Sequence, residues 1–146
     1  MRLSTKGRYG TRVLLDLALH QGEKLTPLKD IARRQEISLS YLEHLIAPLI
    51  AGKIIESTRG PQGGISLIKR PKEIKLSEVI QLLEGPIAPV SCLIDPEVYP
   101  CSRSCAVRDT WDEMRKAMDG VLESTTLQDL VERQEQKEKK LGKRNH

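Results

Sequence analysis

The chain has 146 residues, 38% of them apolar, 30% charged and only 3% aromatic, with one Trp, three Tyr and no Phe. Its mean hydropathy of −0.40 and its short apolar runs exclude a membrane span, which needs about 20 such residues. The net charge of +4 is uneven: residues 1–75 hold 14 Lys/Arg against 7 Asp/Glu, while residues 76–146 hold 10 against 13. A basic first half joined to a mildly acidic second half predicts a polyanion-binding module followed by a partner or assembly module. The N-terminal charges have no apolar stretch behind them, so the expectation is no secretory signal and a cytoplasmic location.

From Thr5 to His20, Tyr9, Val13, Leu14, Leu17 and Ala18 recur at three- and four-residue steps, which predicts an amphipathic helix. Thr26-Pro27 reads as a helix start, with Thr as N-cap and Pro in the first helical position. That short helix stops near Arg34, and Gln35-Glu36-Ile37 forms a turn. Ser38 then caps a third helix with Leu42, Leu45, Ile46 and Leu49 on its buried stripe, and Pro48 should bend its far end. Ile54–Thr58 and Ile65–Ile68 read as two strands joined by Arg59-Gly60-Pro61-Gln62-Gly63-Gly64, a β-hairpin. A helix over Leu76–Glu84 follows, then a Pro- and Cys-containing loop. Val107, Trp111, Met114, Met118 and Val121 step by four and three along a longer helix, the pattern of a helix packing along another helix. Thr125 to Gln128 has capping-box spacing for a final helix, and the charged run from Glu132 to His146 should fray or be disordered. Three units result: 1–75, 76–131 and a tail at 132–146.

Helix, helix, turn, helix and hairpin in a basic segment is the order of a winged helix-turn-helix. In that fold the third helix enters the major groove and the hairpin reaches alongside it. Ser40, Tyr41, Glu43 and His44 lie off the apolar stripe and are expected to face outward, with Ser38 at the helix start. Ser40 can contact a base or a phosphate, and Glu43 can accept from a cytosine amino group. Arg59 beside Gly60 suits a narrow minor groove. Lys6, Arg8 and Arg12, at the start of the first helix, are candidate phosphate contacts. No nucleotide-binding glycine fingerprint, nucleophile–base pair or general acid–base set is present, so an enzyme is not expected.

Cys92, Cys101 and Cys105 are the only cysteines, spaced C-x8-C-x3-C in one loop. The spacing fits neither paired zinc ligands nor the bacterial ferredoxin pattern. An iron–sulfur cluster with a fourth ligand of another kind, another metal, a thiol redox switch and no cofactor all stay open. Asp109, Asp95, Glu97 and Tyr99 are the nearest further donors, with His20 and His44 in the first half.

Ser4-Thr5-Lys6-Gly7-Arg8-Tyr9-Gly10, Ile37-Ser38-Leu39-Ser40-Tyr41-Leu42-Glu43 and Ser57-Thr58-Arg59-Gly60-Pro61-Gln62-Gly63-Gly64 strongly resemble the IscR/NsrR/CymR family of bacterial winged-helix transcription regulators. The likeness extends to about Gln134. It implies a mainly α fold with a small β-hairpin wing and a long dimerisation helix, working as a homodimer on a two-fold operator in double-stranded DNA. It also implies DNA contacts at Ser40, Glu43 and Arg59, and an iron–sulfur cluster, of [2Fe-2S] type, on Cys92, Cys101 and Cys105. Two features depart from the cluster-binding branch. Its members place a His three residues after the third Cys, where this chain has Arg108, and their cysteines are more evenly spaced. Leu83–Val90 and Leu122–Leu127 resemble instead the cysteine-metabolism regulators, a branch without the triad.

Overall fold

The computed structural model describes residues 3–20, 25–95, 97 and 104–144; in it α-helices and one hairpin pack around the first helix, with one long helix set to the side. In chain order the elements are α1 (Thr5–Leu19), α2 (Leu28–Gln35), α3 (Leu39–Ala51), β1 (Ile55–Thr58), β2 (Gly64–Leu67), α4 (Leu76–Glu84), α5 (Ala106–Ser124) and α6 (Leu127–Arg144). α1 touches α2, α3, α4 and α6. Its stripe of Val13, Leu14 and Leu17 is at most 1% exposed. Each such aliphatic side chain contributes about 1.5–3 kcal/mol by leaving water. Gly10 lets α4 come this close, because a Cβ there would stand 2.5 Å from the Leu83 side chain.

Thr26 does not cap α2. Pro27 holds the N-cap position, and Thr26 forms a bridge to Ile65, with N–O distances of 3.0 and 2.9 Å in the two directions. The sheet takes Thr26 because its backbone is extended and buried beside β2, where both of its polar groups need partners. α2 ends at Glu36, whose left-handed backbone (φ 55°) brings its N–H to the carbonyls of Ala32 and Arg33. Ser38 caps α3 as expected, its hydroxyl accepting from the Tyr41 N–H at 3.1 Å. α3 continues through Pro48 to Ala51 and buries Leu42, Leu45, Ile46 and Leu49. In the hairpin, Ile55 pairs with Leu67 and Ser57 with Ile65, so Ile55, Ile65 and Leu67 face the core.

A buried ion pair joins the first two helices. Asp16 on α1 is 3% exposed and accepts from Arg34 Nη2 at 2.7 Å, from Arg34 Nε at 3.0 Å and from Gln35 Nε2 at 2.8 Å. His20 Nδ1 lies 2.9 Å from the Asp16 carbonyl and 3.6 Å from its carboxylate. Burial pushes the Asp16 carboxyl up. The hydrogen bonds from Arg34 and Gln35 and the charges of Arg34 and His20 outweigh that push and hold it below the usual carboxylate value.

The second half of the chain returns to the first. Leu76 N–H donates to the Thr125 carbonyl at 2.9 Å and Leu127 N–H to the Ile74 carbonyl at 2.8 Å, pinning the start of α6 beside the start of α4. The capping box falls one residue later than its spacing predicts. Asp129 N–H donates to the Thr126 hydroxyl at 3.1 Å, and Thr126 N–H donates to the Asp129 carboxylate at 2.9 Å. Thr125 is occupied elsewhere, donating to the Val121 carbonyl at 2.8 Å. The run from 132, expected to be disordered, is helical to Arg144. Its Glu, Gln and Lys residues are good helix formers, a packed first turn at Leu127 supplies the nucleus, and a Gln134–Glu138 pair adds i,i+4 support.

α5 stands apart. None of its residues is buried, and among the described residues its main contacts are with α4 and the short 3-10 turn Ser91–Leu93. Val107, Met114 and Val121, one heptad apart, are 56%, 38% and 63% exposed on its outer side. Trp111 and Met118 are half-buried.

Replacing Asp16 with Ala removes the acceptor of Arg34 and Gln35, and because Arg34 keeps 27% of its side chain in water the unfolding free energy in urea titrations at pH 7 should fall by about 1.5–3 kcal/mol. The native carboxyl titrates below its unfolded value of about 3.9, so its contribution is complete above that value and disappears as pH falls through the native one. The stability gap between wild type and Asp16→Asn should therefore close on acidification below about pH 4.

Candidate nucleic-acid interface and cysteine loop

The outward residues of α3 form two lines. Ser40 and His44 share one, Leu39 and Glu43 the next, and all four are exposed at the helix's N-terminal half. Ser38 is also exposed. Its oxygen is engaged by the cap, but its hydrogen is free to donate to an anion. Across a crevice of about 650 Å³, the wing presents Arg59 and Gly60 towards Leu39 and Glu43. Gly60 has φ +113°, a backbone that L side chains rarely adopt, and its carbonyl accepts from Gly63 N–H at 2.9 Å to close the tip. The tip is therefore slim, with the Arg59 side chain exposed beside it.

Lys6 and Arg8 are exposed on the first turns of α1. Two amides at the start of that helix are satisfied by Glu84, the last residue of α4, which accepts from Ser4 N at 2.8 Å and from Gly7 N at 3.0 Å. Gly7 makes room, since a Cβ there would stand 2.5 Å from the Glu84 carboxylate. Lys6 and Arg8 add two exposed cationic side chains beside that carboxylate's end of α1. The Arg12 guanidinium lies 5.3 Å from the centre of the Tyr9 ring, a cation–π contact.

Tyr41 corrects an expectation. It does not face outward with Ser40 and Glu43: its ring meets Tyr9 edge-on, with centroids 6.1 Å apart and planes at 84°. It packs against the core, and its hydroxyl is buried without a hydrogen-bond partner among the described residues. An aromatic between two faces of a helix goes where another aromatic awaits it. Lys29, exposed on the first turn of α2, lines the crevice beside Glu43 and was missed in the sequence. Its only signal there was a lysine next to a helix start.

Cys92 lies in the 3-10 turn Ser91–Leu93, and Cys105 is the residue from which α5 begins. Both are free, half-buried thiols, and the two elements pack against each other. Cys101, the third of the expected ligands, lies outside the described residues. Among the described residues no three His, Cys, Asp or Glu side chains gather into a metal-binding group. Thiols are the donors iron–sulfur clusters use, so the donor chemistry fits, with two of the three thiols on touching elements. Arg108 is half-buried on the first turn of α5, its Nε buried without a hydrogen-bond partner among the described residues, while Asp109 is exposed. His20 is engaged with Asp16, and His44 is exposed on α3.

Fold and basic face together define a winged-helix DNA-binding transcription regulator. The Rrf2 family, described as "Iron-dependent Transcriptional regulator", matches residues 3–133, and the chain belongs to that family. It is 43% identical to CymR of Bacillus subtilis over 131 residues, 90% of each chain. It is 43% identical to the rrf2 protein of Nitratidesulfovibrio vulgaris, covering 90% of this chain and 87% of that one. To IscR of Photorhabdus laumondii it is 39% identical, covering 92% and 82%. Among solved structures, CymR, the global cysteine regulator of B. subtilis, superposes with a TM-score of 0.75 at 40% identity, covering 90% and 97% of the two chains. T. potens IscR gives 0.70 at 37%, covering 90% and 87%. The mainly helical winged fold is as expected, and the chain is a transcription regulator of the CymR/IscR type, not an enzyme. Among the described residues no helix is long and apolar enough to cross a membrane.

Tyr41→Phe separates the inward from the outward placement. It removes a buried hydroxyl that has no partner among the described residues and should raise stability by about 1 kcal/mol, read from the urea midpoint. DNA affinity, read by fluorescence anisotropy, should stay within twofold of wild type.

Proposed function

We propose that the chain acts in the cytoplasm as a homodimeric repressor on a two-fold DNA operator, with its operator affinity set by the state of Cys92, Cys101 and Cys105. One observation carries this reading: Cys105 is the point at which the cysteine loop becomes α5, the helix with an outward apolar stripe and no buried residue. A second copy of α5 covers that stripe, burying Val107, Met114 and Val121 at the dimer contact. The spacing of the two recognition helices then depends on how α5 leaves each subunit. Ser38, Ser40, Glu43 and His44 meet base edges and phosphates in the major groove. Arg59 and Gly60 enter the minor groove, and Lys6 and Arg8 hold the backbone.

The three cysteines are proposed to hold an iron–sulfur cluster of [2Fe-2S] type. When bound, such a cluster supplies a redox-sensitive cross-link within the loop. The protein's own part is to bring the turn Ser91–Leu93 against the first turn of α5 and keep both thiols half-buried. A second reading, without a cluster, has the thiols sense redox state directly or leaves regulation to a partner enzyme of cysteine metabolism. Arg108 favours it, because it stands three residues after Cys105 and a guanidinium cannot ligate iron.

Air-free purification with iron and acid-labile sulfide analysis and visible spectroscopy decides between them. The cluster reading expects stoichiometric iron that is lost when all three cysteines are replaced by Ala, with a colourless dimer of altered operator preference. Iron-free wild type with normal operator binding overturns it. Arg59→Ala should weaken binding and reduce the slope of log affinity against log salt by about one per half-site, measured by titration at several salt concentrations.

A further inference from the structure

We propose that Leu39 is a specificity-determining residue that reads the 5-methyl group of a thymine next to the base addressed by Glu43. The inference rests on the DNA reading given above. Leu39 is the first residue of α3 and is 46% exposed, whereas Leu42, Leu45 and Leu49 of the same helix are at most 1% exposed. Leu39 and Glu43 are four residues apart and so lie one above the other on a helix. Both line the crevice that Arg59 and Gly60 close from the other side.

In the major groove a cytosine offers an amino donor and a thymine offers a methyl group. A carboxylate and an alkyl side chain one turn apart match those two edges. The Leu39 side chain has no polar atom with which to hold a phosphate or a water, so that side chain's affinity for the groove comes only from covering apolar surface. Seated on a methyl, it also shields Glu43 from water, which strengthens the carboxylate's hydrogen bond to its base.

The test uses a duplex recovered from a random pool by in-vitro selection with the intact protein. Each thymine is replaced in turn by deoxyuridine, which lacks only the methyl. For wild type, one thymine position per half-site should lose about fourfold in affinity, the equivalent of one buried methyl group. Leu39→Ala, checked for helicity by circular dichroism, should bind the unmodified duplex as wild type binds the deoxyuridine one and should be indifferent to the replacement. A selected duplex insensitive to every replacement overturns the role of Leu39 but leaves the DNA reading intact. So does a Leu39→Ala protein that stays as sensitive to the replacement as wild type. A pool that yields no preferred duplex overturns both.

Discussion

Asp16 is nearly closed off from water, and both of its oxygens are taken by side chains from the end of α2. A carboxylate in that position is tolerated only while Arg34 and Gln35 stay where they are, so the pair acts less as a source of stability than as a constraint on geometry. It sets where α2 ends relative to α1. The left-handed Glu36 then turns the chain within three residues into α3, so the contact that fixes the end of α2 also fixes where α3 starts. An apolar pair in the same place would permit sliding, whereas a guanidinium fork on a carboxylate has one good arrangement.

The same first helix connects the DNA-facing surface to the cysteine loop. Glu84 accepts from Ser4 N and Gly7 N at its start, and the next residue, Gly85, begins the segment that leads to Cys92. The loop is thus anchored at one end to the turn carrying Lys6 and Arg8, and at the other it becomes α5. Tyr9 adds a second link, holding Arg12 over one ring face while meeting Tyr41 of α3 at its edge. Tyr41 therefore holds α3 from its inner side, against Tyr9 and the core.

Much of this was legible in the residues because it is local. The α1 stripe, the Ser38 cap, the hairpin with its glycine tip and α4 each depend on periodicity, capping or turn chemistry within a few residues. What escaped the sequence depends on neighbours distant along the chain. Thr26 looked like a cap until Ile65 claimed its backbone. The box spacing at Thr125 moved to Thr126 because Val121 and Leu76 take the polar groups of Thr125. The charged run after 132 looked unable to order itself, yet Leu127 and Val131, buried in the body, start a helix that its own composition can continue.

By itself the sequence determined the class of protein: a basic winged helix-turn-helix, a long helix with a heptad stripe, and three thiols in the loop between. Each is written in residue type and spacing, which survive without knowledge of what lies across the fold. Only the tertiary structure decided which outward residues of α3 share the crevice with the wing, that Tyr41 turns inward while Leu39 stays out, and that one core joins Val13 and Leu42 to Val79 and Leu127. Those choices follow from burial, and burial is a property of the assembled chain: a helix has more than one face that could be covered, and its neighbours select among them.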